Sequence, residues 1–164
     1  MITLRQDIFT EDALKIADWL DDQEIVAFLN EHEAVSEHIR TIVGTTTLPI
    51  YNHLFNRRGL FYLICLNDES IGYVKFIPKQ TGHEIVITIG EKDLWGKGYG
   101  KRALRKALNE AFFSLRYKKI DAKIKDHNRR SLCLFEHLGF DGNRVNENIH
   151  HLTMDFDTYL RKAA

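Results

Sequence analysis

The stretch Glu84-Ile85-Val86-Ile87-Thr88-Ile89-Gly90-Glu91-Lys92-Asp93-Leu94-Trp95-Gly96-Lys97-Gly98-Tyr99-Gly100-Lys101-Arg102 decides how this chain folds. Glu84 to Ile89 is dense in β-prone apolar residues and predicts a strand. Glycines 96, 98 and 100 follow, and then Leu104, Ala107, Leu108, Ala111, Phe112 and Leu115 recur at helical spacing. The local order is therefore strand, glycine loop, helix. Glycines let the backbone approach a ligand closely, and amides at the start of a helix favour negative charge, so the combination suits a phosphate. Lys101 stands where G-x-G-x-x-G needs its third glycine, and neither Gly-Lys pair completes G-x-x-x-x-G-K-[ST]. Dinucleotide and nucleoside-triphosphate readings are weakened accordingly.

Upstream, Phe61-Tyr62-Leu63-Ile64-Cys65-Leu66 is an apolar β-prone run that turns at Asn67-Asp68-Glu69-Ser70 and resumes at Ile71-Gly72-Tyr73-Val74-Lys75-Phe76, a hairpin. Ile2 to Arg5 alternates as a short first strand, and Thr10 is expected to cap a helix whose apolar face is Ala13, Leu14, Ile16, Ala17 and Leu20. Further helices are expected from about Asp22 to Leu29 and Glu33 to Asn56, with Pro49 breaking or kinking the latter. Downstream, Lys118 to Lys125 alternates as a half-buried strand, Asn128 caps a helix that runs through Leu138 and stops at Gly139, and Leu152, Met154 and Phe156 alternate as a last strand. No linker, repeat or low-complexity segment interrupts residues 1–164, which predicts a single α/β or α+β domain with a mixed sheet and helices on its faces.

Lys plus Arg and Asp plus Glu both number 23, so no global field draws the chain to nucleic acid or an anionic membrane. The N-terminus has no apolar signal core, and the longest apolar run, Leu60 to Leu66, is far too short to span a bilayer. Two cysteines, Cys65 and Cys133, make no disulfide framework. A soluble, cytoplasmic protein is expected. Eight histidines show no H-x-x-x-H pair and no supporting cysteine, so no metal site is expected.

Trp95-Gly96-Lys97-Gly98-Tyr99-Gly100 resembles the cofactor motif of the GCN5-related N-acetyltransferase (GNAT) family, which reads Gln or Arg, two residues, Gly, one residue, then Gly or Ala. Both glycines match, while Trp95 holds the Gln/Arg position. A second motif follows in order: Asn128, Ser131 and Leu134-Phe135-Glu136-His137-Leu138-Gly139-Phe140 resemble N-x-x-[SA]-x-x-[LF]-Y-E-x-x-G-F. Leu4 to Leu29 is similar to the opening of the ribosomal-protein (RimJ/RimL-like) branch. The resemblance implies a mixed, mostly antiparallel central sheet with helices on both faces, and acetyl-CoA as co-substrate.

The resemblance also implies roles. Backbone groups of Ile87, Thr88 and Ile89 would bind the pantetheine arm. Amides from Gly96 through Lys101, with Lys97 and Lys101 as charge partners and Trp95 and Tyr99 completing the loop, would cradle the pyrophosphate. Asn128 is either a plain helix N-cap, a pantetheine ligand, or both. Glu84 sits where the histone-acetyltransferase branch places its catalytic base; the alternative is a solvated carboxylate at a strand end, and Glu91 is a weaker candidate. Phe135 lies against the cofactor where many members carry the tyrosine that protonates the thiolate, leaving Tyr99, Tyr73, a water or bulk solvent as donor.

Trp19 reads as core and Trp95 as a cover for the loop. Arg129 and Arg130, beside Lys123, Lys125 and His127, either meet the 3′-phosphate of coenzyme A or are solvated. Cys133 falls in a helix and Cys65 in an apolar strand, so neither looks like an exposed nucleophile. The resemblance implies an amine acceptor, either a protein N-terminus or a small molecule. Dimers are common in the family, and Leu152, Met154 and Phe156 are placed on an edge strand that a homodimer would cover. The rival reading is a catalytically degenerate module that binds acyl-CoA or a protein.

Overall fold

The computed structural model describes residues 1–29 and 34–163. The chain divides into two compact units, Met1–Lys75 with Ile87–Leu104 and Phe76–Val86 with Arg105–Ala164.

In the first unit, β1 (Ile2–Arg5) pairs antiparallel with β2 (Leu60–Leu66). Phe61 to Cys65 are all buried, as in a strand covered on both faces. Asn67 and Asp68 turn the chain into β3 (Glu69–Lys79) with φ of 50° and 73°, a conformation these two residue types tolerate better than most. Among the described residues four helices lie between β1 and β2: α1 (Thr10–Asp21), α2 (Gln23–Val26), α3 (Val35–Thr45) and α4 (Asn52–Phe55). Arg40 of α3 ties two carboxylates of α1, Asp18 at 2.7 Å and Asp21 at 2.6 Å.

Two readings of this region are corrected. Thr10 does not cap α1 but is its first residue; Phe9 is the cap position, and the Asp12 carboxylate accepts the Phe9 N–H at 3.0 Å. Glu33 to Asn56 is not one kinked helix. The Thr45 and Thr46 hydroxyls donate back to the Thr41 and Ile42 carbonyls at 2.7 and 2.6 Å, closing α3 ahead of Pro49. Glu33 itself lies outside the described residues.

The second unit holds the end of β3 and the start of β4 (Gly82–Ile89), which pairs with β5 (Lys119–Lys125), followed by α6 (Arg129–His137), β6 (Asp141–Arg144), β7 (Ile149–Asp155) and α7 (Phe156–Ala163). The helix after the glycine loop, α5 (Tyr99–Asn109), widens into a π turn at Glu110–Ser114. Phe112 on that turn stacks on Tyr159 of α7 with centroids 4.9 Å apart. Burying a side chain such as Phe112 contributes about 1.5–3 kcal/mol.

The seven strands run in the order β1-β2-β3-β4-β5-β7-β6. The β4–β5 pair is parallel, and β1–β2, β5–β7 and β6–β7 are antiparallel. Phe156 is not in the last strand but opens α7, and β7 is not an edge, because β6 covers it. The Leu152 and Met154 side chains are themselves buried rather than offered to a second copy. Gly142 lets β6 close in, since a Cβ there would collide with the His151 carbonyl.

Candidate functional site

In the first unit, β4 ends in a bulge. The Ile71 carbonyl accepts from Gly90 N–H at 2.8 Å and from Glu91 N–H at 3.2 Å, two residues of one strand against one of its neighbour. A Cβ at residue 72 would run into the Thr88 carbonyl oxygen, so the two backbones approach closely only because Gly72 has no side chain. Ile87 and Ile89 pack on the cluster of Ile2, Ile64, Ile71 and Ala103, which leaves Thr88 on the opposite face.

Beyond the bulge comes one 3-10 turn, Lys92–Leu94, and then the glycine loop. Gly96 and Gly98 have φ of 76° and 84°, which L side chains rarely adopt, and a Cβ on either would meet nothing within 4 Å. Glycine therefore serves backbone conformation here and leaves open space before the loop. The first helical bond of α5 runs from Arg102 N–H to the Gly98 carbonyl at 3.2 Å. Helix geometry places the amides of Tyr99 and Gly100 in the first turn of α5, ahead of that bond. Amides at the positive end of a helix, beside Lys97, are a donor set that fits a pyrophosphate.

Side chains far away in sequence brace this segment. Trp19 fills the space before Gly90 and its indole N–H reaches Glu91 Oε1 at 3.2 Å. Lys15 donates to the Ser70 carbonyl at 2.7 Å and lies 3.7 Å from Glu91. Lys92 holds Asp22 at 2.8 Å and Glu24 at 3.2 Å, and its hydrogen bond is the main cause that lowers the Asp22 carboxyl below its ordinary range. Trp95 is half-buried, and its indole N–H donates to the Ile89 carbonyl at 2.8 Å. Sequence reasoning missed Lys15, Lys92 and the Glu91 pairing, and no local pattern signals contacts across 68 or 72 residues.

In the second unit, Glu84 is ladder partner to Asp121 of β5, and the parallel β4–β5 ladder comprises that pair and His83↔Ile120. Ile85 and Val86 thus have no ladder partner on β5, while β5 goes on pairing with β7 as far as Lys125↔Ile149. The Glu84 side chain is only 12% exposed and lies between Lys79 Nζ at 3.8 Å and Lys123 Nζ at 3.6 Å. The neighbouring Asp121 accepts from Thr153 Oγ1 at 2.7 Å. Asn128 caps α6, its Oδ1 accepting the Ser131 N–H at 3.2 Å. Phe135 is buried edge-to-face on Phe140 at 4.8 Å.

Arg129 is ion-paired with Asp126 at 3.2 Å, and the same carboxylate oxygen takes Arg144 at 2.6 Å and His150 at 2.7 Å. The bond from His150, followed by the charges of Arg129 and Arg144, holds the Asp126 carboxyl below its ordinary range. Cys65 is buried, whereas Cys133 is exposed on α6, contrary to its sequence reading. Of the other candidate acids, Tyr73 is buried and stacked on Phe61 at 5.0 Å, and Tyr99 is half-buried beneath the Arg102 guanidinium. Among the described residues no group of three or more His, Cys, Asp or Glu could hold a metal ion, and no helix is long and apolar enough to cross a membrane.

The family that matches this mixed sheet and its glycine loop is one of acetyltransferases. Residues 2–141 match the acetyltransferase (GNAT) domain family, and the chain belongs to it. It is similar to an uncharacterized N-acetyltransferase, p20, of Bacillus licheniformis, at 29% identity over 144 residues that cover 85% of this chain and 78% of that one. The fold is shared with the spermidine N-acetyltransferase from Vibrio cholerae in complex with CoA and spermine, at TM-score 0.77 and 18% identity over 97% and 98% of the two chains. It is also shared with the aminoglycoside acetyltransferase AAC(6')-Ib in complex with coenzyme A, at TM-score 0.76 and 17% identity over the full length of both.

Proposed function

We propose that the chain acts as one cytoplasmic domain, an acetyl-CoA-dependent N-acetyltransferase that moves the acetyl group to a primary amine by direct attack. The observation that carries this reading is the pair of left-handed glycines, Gly96 and Gly98, with open space before them and the first amides of α5 behind. The loop from Trp95 to Lys101 holds the pyrophosphate, and backbone groups of Ile87 to Ile89 hold the pantetheine arm. Glu84 takes the ammonium proton, directly or through water, and Asn128 adds an amide donor from the start of α6. When bound, acetyl-CoA supplies the activated thioester, so no covalent intermediate on the protein is required.

The acceptor is a protein N-terminal amine or a small amine. The likeness of Leu4 to Leu29 to the RimJ/RimL branch supports the first, and fold neighbours named for spermidine and aminoglycosides support the second. A homodimer fits the family's habit, with a surface other than Leu152 and Met154. Calorimetric titration of acetyl-CoA and CoA into wild type and Gly98→Trp tests the cofactor site: binding lost in the variant supports it, and no binding to wild type refutes it. One observation favours a second reading, a binding module without turnover. Phe135 is locked in the core and donates no proton. Tight CoA binding with no acetylation of any amine in a library would establish that alternative.

A further inference from the structure

We infer that Trp95 is a positioning residue that fixes the distance between the end of β4 and the glycine loop, so that one extended ligand engages both; this rests on the cofactor reading above. After Ile89 the Gly90 and Glu91 N–H groups still bond the Ile71 carbonyl, and from there to Gly96 the backbone closes two short local rings: Leu94 N–H to the Glu91 carbonyl at 3.0 Å and Trp95 N–H to the Lys92 carbonyl at 3.0 Å. Neither ring spans the whole segment. The Trp95 indole does, donating from Nε1 to the Ile89 carbonyl at 2.8 Å. Its ring lies 6.4 Å from that of Phe28, tilted at 57°.

The residue that follows the indole anchor is Gly96, the first left-handed glycine, and the residue that accepts from it is the last of β4. A strut between these two points sets where the loop amides stand relative to the strand backbone. It also occupies one of the two lone pairs of the Ile89 carbonyl. Gln and Arg, which the family motif carries at this position, are likewise side chains that donate N–H, so tryptophan replaces them with the same polar chemistry on a rigid frame.

The test compares ligands that need the strut with ligands that do not. CoA engages strand and loop together; adenosine 5′-diphosphate engages the loop alone, and pantetheine the strand alone. Equilibrium titration of all three is run on wild type, Trp95→Phe, which keeps the ring and loses the donor, and Trp95→Gln, which restores a donor, with thermal melts confirming that each variant folds. Trp95→Phe is expected to weaken CoA about fivefold while each fragment changes by less than about twofold, and Trp95→Gln to recover most of the CoA loss. Equal CoA affinity in Trp95→Phe, or parallel losses for CoA and the fragments, overturns the inference alone. Wild type that binds no CoA overturns the cofactor reading and the inference with it.

Discussion

The Trp19 indole occupies the space in front of Gly90 so fully that a Cβ added to the glycine would overlap the ring's central atoms. Gly90 is therefore glycine for packing, since its neighbour is a buried, rigid side chain with no room to yield. Gly90→Ala is expected to destabilise the fold by about 1–3 kcal/mol through overpacking. Adding Trp19→Phe, a smaller ring, is expected to return part of that loss, giving a double-mutant cycle that is not additive. Urea denaturation of the four proteins in the cycle measures this; additive losses would mean that the two residues do not press on each other.

Glu84 is flanked by lysines that are 43% and 47% exposed, at 3.8 and 3.6 Å. Pairs of that kind typically contribute less than about 1 kcal/mol, so Glu84→Gln is expected to fold with near wild-type stability. As general base its loss is expected to reduce kcat about 10²–10⁴-fold while CoA affinity is unchanged. Steady-state rates with saturating acetyl-CoA decide the matter: a drop under about threefold assigns the proton transfer elsewhere.

The glycine loop, the β2–β3 hairpin and the cap at Asn128 were legible because each is written in adjacent residues whose chemistry admits few conformations. The edge strand β6 was not, since Asp141-Gly142-Asn143-Arg144 is polar and exposed throughout and pairs only because Gly142 admits the neighbouring backbone. Helix α7 was hidden by Phe156, whose spacing continues the alternation of β7 and whose backbone N–H still bonds the Lys118 carbonyl at 2.9 Å in register with the β5–β7 ladder, although the helix opens at that residue. At the candidate site, the glycine loop between strand and helix could be read from sequence. The braces from Lys15, Trp19 and Lys92 could not, because each meets a partner far along the chain.

Asn128 carries a structural and a proposed functional role on different atoms. Its Oδ1 caps α6 through the Ser131 N–H, which leaves the Nδ2 group as the donor for a ligand. Asn128→Asp keeps the capping oxygen and is expected to match wild type in stability, yet to weaken CoA about fivefold for want of the amide donor. Asn128→Ala is expected to lose both, with a stability cost of about 1 kcal/mol. Thermal melts paired with CoA titrations separate the roles; undiminished CoA affinity in Asn128→Asp would reduce Asn128 to a cap.

His83 lies flat against Tyr117, with ring centroids 3.5 Å apart and planes 6° from parallel. Burial lowers the imidazole pKa below its ordinary 6.5, and the same cause raises the Tyr117 hydroxyl above its ordinary 10.0. The unfolded chain then takes up a proton at His83 at higher pH than the folded one does. Its contribution to stability is complete above pH 6.5 and is lost as pH falls from there through the folded value. Asp126, lowered from 3.8, has the same sign in a separate and more acidic window. Urea midpoints measured from about pH 7 down to about pH 3 are expected to fall in two stages. His83→Phe keeps an aromatic stack without a titrating group, so it is expected to flatten the first stage and leave the second intact. An unchanged first stage in that variant would place the titration on another histidine.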